Sequence, residues 1–394
     1  MKRHFDQSIS RIGTYCTQWD YMEDRFGSSD LLPFSISDMD FKSPPEIIEA
    51  IQKRTSHGIF GYTRWNHEDY KSSIAGWYKR RFDNEIPIDW VIYSPSVIYS
   101  IARLIEILTS ESDQVVMQVP AYDAFFHVIH QSKRELIPNP LLYQNGKYEI
   151  DYEDLEKKLR HPKAKILLLC NPHNPTGRVW TEQELKKITD LCAKYQVKII
   201  SDDIHMDITF QDHRFIPITS VADDLQNIYI CTSASKTFNT PGLGGSYLLI
   251  PNEKTRESYM KLLKYRDGVS SASIFGEISV IEGYRHGDQW VDELCSYLYN
   301  NMKLVKEFID QELPSIQFRI PESTYLAWMD CTELGKTNQE LQQALVKAGK
   351  VGIMSGAVYG EERGIFLRMN VGCPQSKVIE GLERLKRSVL SLTP

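Results

Sequence analysis

The feature that most constrains this chain is a rhythm in its middle: short apolar runs at residues 91–93, 115–119, 166–170, 197–200 and 228–232, each bounded by polar turn residues. Continuous runs of this kind suit strands buried on both faces, which have no solvent side toward which to alternate. Helical patterns lie between several of them. Thr181-Glu182-Gln183-Glu184 is a capping box, and Leu185, Ile188, Leu191 and Tyr195 recur at helical spacing behind it. Behind Ser94-Pro95-Ser96, the residues Ile98, Ile101, Leu104, Ile105 and Leu108 share one helical face. Strand, helix, strand is the βαβ unit, so the middle of the chain reads as an α/β sheet with its chemistry in loops at the carboxyl ends of the strands.

Beyond about residue 285 the pattern changes to a helical stretch, three runs (Phe318-Arg319-Ile320, Tyr325-Leu326-Ala327-Trp328-Met329 and Ile365-Phe366-Leu367-Arg368-Met369) and a closing helix from Lys377. The 394 residues therefore divide into an arm, 1–44, that joins a smaller α+β domain, 286–394, and a large domain, 45–285. The net charge of −6 and the lack of a basic patch argue against nucleic acid or an anionic membrane as partner. The longest apolar runs are too short to cross a bilayer, and Met1-Lys2-Arg3-His4-Phe5-Asp6 lacks the apolar core of a leader, so a cytoplasmic location is expected. Seven scattered cysteines without a C-x-x-C pair fit reduced, mostly buried thiols, with neither a disulfide framework nor a metal site.

Three strand ends carry reactive groups. The run 228–232 leads into Ser233-Ala234-Ser235-Lys236-Thr237, a lysine among hydroxyls. Partly removed from water, such an amine is a Schiff-base nucleophile, and the hydroxyls can bind a phosphate; taken alone, the ordinary exposure of lysine favours a solvated loop residue. The run 197–200 leads into Ser201-Asp202-Asp203-Ile204-His205. A carboxylate there can hold a protonated ring nitrogen of an electron-sink cofactor, or merely cap a turn or ligate a metal. The run 166–170 leads into Asn171-Pro172-His173-Asn174-Pro175-Thr176-Gly177, whose two Asn-Pro steps and exit glycine hold the Asn174 amide toward the strand ends. Arg368, set among apolar neighbours, needs an anion, either a ligand or an internal carboxylate.

N-P-x-N-P-T-G, D-x-x-H and S-x-S-K, in that order, resemble the fold-type I pyridoxal-phosphate (PLP) enzymes of the aminotransferase class I/II superfamily. Further segments, including Phe60-Gly61-Tyr62-Thr63-Arg64-Trp65, Pro120-Ala121-Tyr122-Asp123-Ala124-Phe125 and Leu367-Arg368-Met369-Asn370-Val371-Gly372-Cys373-Pro374, make nearly the whole chain similar to the MalY/PatB group of cystathionine β-lyases, or C–S lyases. The resemblance implies an α/β fold with a large, mixed but mostly parallel sheet, PLP as cofactor, and a homodimer with shared active sites. It implies that Lys236 forms the Schiff base and moves the proton, that Asp202 pairs with the pyridinium nitrogen, and that Asn174 and His205 lie near the cofactor's phenolic oxygen. Tyr122 would stack on the ring and take part in catalysis. Ser233, Ser235 and the amides of Val97 and Ile98 would hold the phosphate, Tyr62 would reach the phosphate of the neighbouring subunit, and Arg368 would clamp the substrate α-carboxylate. Two departures stand out. Gly244 occupies the place where many superfamily members carry a phosphate-binding arginine, and His205 stands where aminotransferases commonly have tyrosine, which leans toward a lyase acting on cystathionine or related cysteine conjugates. An aminotransferase is the alternative among enzymes; a regulatory protein retaining the fold is the alternative outside them.

Overall fold

The computed structural model describes residues 5–392. The first four residues, read above as lacking a leader's apolar core, lie outside the described residues. Seven strands form the main sheet: β1 (Val91–Ser94), β2 (Gln114–Val119), β3 (Glu135–Pro140), β4 (Ala164–Cys170), β5 (Lys198–Asp202), β6 (Ile228–Thr232) and β7 (Ser246–Leu249). Their spatial order is β1-β7-β6-β5-β4-β2-β3, and only β7 runs antiparallel to its neighbours. The sheet is thus the large, mostly parallel one expected, with β5 at its centre and the apolar run of β4 beside it. The edge strand β3 contains Pro138 and Pro140, which an edge tolerates because one side of its ladder needs no donors.

The expected helices form where their signals stand. Glu182–Lys194 starts at Thr181, whose side chain and that of Glu184 make the reciprocal capping box, a device worth about 1 kcal/mol. Val97–Leu108 starts at Ser96, whose Oγ accepts from Tyr99 N at 3.1 Å. Ile101, Leu104 and Ile105 are fully buried on its inner face, whereas Ile98 and Leu108, expected there too, are only half-buried: Ile98 turns toward a cavity described below, and Leu108 ends the helix.

A second sheet of four antiparallel strands follows: β8 (Gln317–Phe318), β9 (Leu326–Asp330), β10 (Met354–Ser355) and β11 (Phe366–Asn370), ordered β8-β9-β11-β10. The run expected at Phe318-Arg319-Ile320 is a strand only through Phe318, because the chain then turns into the Pro321 loop against Gly177. The closing helix begins at Gln375, two residues before Lys377, on the Pro374 that starts it. The 25-residue helix Asp288–Glu312 buries Trp290, Leu294, Leu298, Met302 and Val305 at helical spacing, and its Asn301 Nδ2 donates to the carbonyls of Val371 and Cys373, both at 2.9 Å. Leu32–Pro33 pairs in parallel with Val351–Gly352, and Asn370 Nδ2 donates to Asp38 O at 2.6 Å. These bonds draw the segment 32–40 along β11 and over the carboxyl ends of β4, β5 and β6.

Candidate active site

Where that segment meets the main sheet lies a cavity of about 300 Å³. Its lining includes ten of the residues singled out from sequence: Val97, Ile98, Tyr122, Asn174, Asp202, His205, Ser233, Ser235, Lys236 and Arg368. Tyr62 is not among them; its side chain is 99% exposed on the protein surface.

Lys236 rises from the short helix Ser235–Phe238 behind β6, and its Nζ donates to the carbonyl of Ser37, which also accepts from the Tyr325 hydroxyl at 2.9 Å. Burial lowers the lysine to about 8, opposed by the charge of Asp38, helped by Arg368 and opposed again by Asp202. Its amine therefore loses its proton far more readily than an ordinary lysine does, so that a part of it is neutral near physiological pH. The helix is held from behind by Thr237 Oγ1, which donates to Asp207 Oδ2 at 2.6 Å, and Asp207 Oδ1 accepts from Trp77 Nε1 at 2.9 Å.

Asp202 ends β5. Burial raises its carboxyl to about 7 against the N–H of Ile204, 3.1 Å from Oδ1, and the charge of Lys236. A further cation entering the cavity beside it would favour its charged form. Its neighbour Asp203 points away, accepts from Ser201 Oγ, and is driven by burial toward its protonated form. His205, also buried, is depressed to about 3 by burial and then by Lys236 and Arg368; it is a neutral ring whose Nδ1 has no hydrogen-bond partner among the described residues.

Arg368 is 4% exposed. Its Nη1 donates to Asn174 Oδ1 at 3.2 Å and its Nη2 to Ser35 O at 3.0 Å, while the guanidinium lies 4.4 Å above the Tyr359 ring. All these partners are neutral, and Nε has none among the described residues. An internal carboxylate, the alternative open from the sequence, does not meet it there, so the charge awaits an anion from outside. The loop that presents Asn174 has cis bonds at Asn171–Pro172 and Asn174–Pro175, and Gly177 at φ +70° is a position where a Cβ would lie 2.4 Å from Pro321.

At the opposite wall, the first two N–H groups of the helix Val97–Leu108 belong to Val97 and Ile98 and lack intrahelical partners, the arrangement that favours an anion. Ser233 Oγ is already engaged: it donates to Gly245 O at 2.8 Å and accepts from Ser235 N at 3.1 Å. No cation stands at Gly244, which has φ +72°; the cations lining the cavity are Arg25, Lys236 and Arg368. Arg25, Met354 and Tyr359 are contributors that the sequence reading did not single out. The set fits PLP: a buried amine of lowered pKa, a strand-end carboxyl in no salt bridge and an imidazole nitrogen with no partner among the described residues, and a helix N-terminus for the phosphate.

Residues 29–385 match the family described as aminotransferase class I and II, and the chain belongs to that family of PLP-dependent enzymes. Protein MalY of Escherichia coli is 43% identical over 385 residues, 98% of each chain. Cystathionine beta-lyase PatB of Bacillus subtilis is 37% identical over 387 residues, 98% of this chain and all of that one. The PLP-bound C–S lyase of Staphylococcus hominis superposes with a TM-score of 0.93 at 27% identity, over 99% of both chains.

Proposed function

We propose that this protein eliminates thiols from L-cysteine S-conjugates, cystathionine foremost, with PLP held in the cavity at Lys236. The observation that carries the reading is one cavity that joins a buried lysine of lowered pKa to a buried arginine whose protein partners are all neutral. The names borne by PatB and the Staphylococcus lyase support the same chemistry. Bound PLP supplies an electron sink for the charge left when the α-proton departs. The chain's residues do the rest. Arg368 binds the α-carboxylate with the donors that Asn174 and Ser35 leave unused, which fixes Cα beside Lys236. The neutral Lys236 Nζ takes the Cα proton. Asp202 holds negative charge at the strand end, and Tyr122 bounds the cavity on the side of its helix start. His205, neutral and without a second charge to add, leaves the cavity's proton traffic to Lys236. A thiolate departs readily, its conjugate acid having a pKa of about 8.5, so a site that aligns the Cβ–S bond is sufficient for elimination. Transamination would require Lys236 to return the proton to the cofactor. The test is to supply cystathionine and alanine in turn: pyruvate and homocysteine in equal amounts from the first, with little keto acid from the second, supports the lyase, and the reverse supports an aminotransferase.

We also propose that the active unit is a homodimer. Tyr62 extends from a segment in which Ile59 and Phe60 are also exposed, which suits a surface covered by a second copy. Equal mixing of Tyr62→Ala and Lys236→Ala proteins, followed by subunit exchange, should restore part of the activity neither has alone, because some hybrid sites carry both native residues; no recovery would refute shared sites. The arm with the second sheet and the main sheet are proposed as two domains divided near residues 44 and 285. Six buried cysteines and one half-buried, all free, fit the reducing cytoplasm. Among the described residues no helix is long and apolar enough to cross a membrane.

A further inference from the structure

Arg25 belongs to the short helix Met22–Phe26 of the arm, yet it lines the same cavity as Lys236 and Arg368. Its Nη1 lies 3.7 Å from the sulfur of Met354. Among the described residues that weak acceptor is its sole hydrogen-bond partner, which leaves the rest of a five-donor group for water or a ligand. Met354 stands directly opposite Arg368 in the β10–β11 pairing, and residues so paired project from the same face of a sheet. One wall of the cavity therefore runs from a guanidinium, over a thioether, to a second guanidinium. The charge of Arg25 also reaches the phenols of Tyr122 and Tyr359, which line the cavity between the two.

An amino acid whose α-carboxylate sits on Arg368 must send its side chain onward past Met354. The thioether is a polarizable surface suited to methylene groups. The cavity's acids, Asp123 and Asp202, offer no attraction to a second carboxylate, whereas Arg25 does. We propose that Arg25 is a specificity-determining residue that selects L-cysteine S-conjugates whose departing thiol carries a carboxylate. The proposal rests on the lyase reading and adds to it a preference among substrates.

The test compares S-carboxyethyl-L-cysteine with S-isopentyl-L-cysteine, which has the same shape without the charge, following thiol release by the holoenzyme. Wild type should favour the carboxyethyl conjugate by about tenfold in kcat/KM, mostly through KM, the size of one charge-assisted contact at an exposed site. Added salt should shrink that preference, since Arg25 is exposed. Arg25→Met should abolish it while leaving the isopentyl conjugate within about twofold, and that unchanged rate reports an intact fold. Equal handling of the two conjugates by wild type, or equal slowing of both by Arg25→Met, overturns the role of Arg25 and leaves the lyase reading standing. Failure of wild type to cleave either conjugate overturns the role of Arg25, and failure on cystathionine as well overturns the lyase reading too.

Discussion

Arg368→Lys tests how the substrate is held. Arginine carries five N–H donors, and the protein uses two of them, one from Nη1 to Asn174 and one from Nη2 to Ser35. Three remain, enough for a two-pronged grip on a carboxylate. A lysine ammonium has three donors in all, so keeping Asn174 and Ser35 leaves one for the substrate. The variant thus forfeits about one charge-assisted hydrogen bond, roughly 1.5–3 kcal/mol, or about ten- to hundredfold in kcat/KM. It also gives up the planar contact 4.4 Å above Tyr359, which places the loss toward the upper end. Because the carboxylate is held alike before and during the reaction, the loss should fall on KM, with kcat changed little. Steady-state pyruvate formation from cystathionine measures both constants, and a conjugate lacking the α-carboxylate should be handled equally by wild type and variant. An unchanged KM, or a collapse of kcat at saturating substrate, would refute the reasoning.

Asp202→Asn should cost about a hundredfold in kcat, roughly 2.7 kcal/mol, since the strand-end charge is lost; Asp203→Asn should stay within about threefold, because burial already keeps that neighbour protonated. Measured turnover of the two variants decides whether the register of the pair has been read correctly, and the opposite ranking would reverse it. Apoprotein should combine with PLP at a rate that rises with pH through about 8 and then levels, because the amine loses its proton there; an ordinary lysine would keep rising past 10. Asp38→Asn should move that midpoint to lower pH, since Asp38 favours the charged amine, and stopped-flow absorbance follows the rate.

The parts legible in the sequence are those whose signal is local. Lys236, Asp202 and Asn174 each follow a run of buried apolar residues, and a strand end in an open α/β sheet is already a place for chemistry. The antiparallel β7 escaped because its four residues are too few to show a period of their own, and β3 because its prolines, acceptable at an edge, read as turns. Arg25 was out of reach for another reason. It meets Met354 only because Leu32–Pro33 pairs with Val351–Gly352, a contact between distant parts of the chain that no window of sequence displays. Ser35 and Ser37 act through backbone carbonyls, which carry no residue signature at all. Tyr62 had a signature, but within one chain it stands on the surface, apart from the cavity.

The proposed chemistry depends most on Lys236. Protein reconstituted with PLP, reduced with borohydride and digested should carry the cofactor on the peptide containing Lys236, and Lys236→Ala should carry no stoichiometric label and release no thiol from cystathionine. A label of full stoichiometry on any other lysine, or thiol release undiminished in the variant, would contradict it.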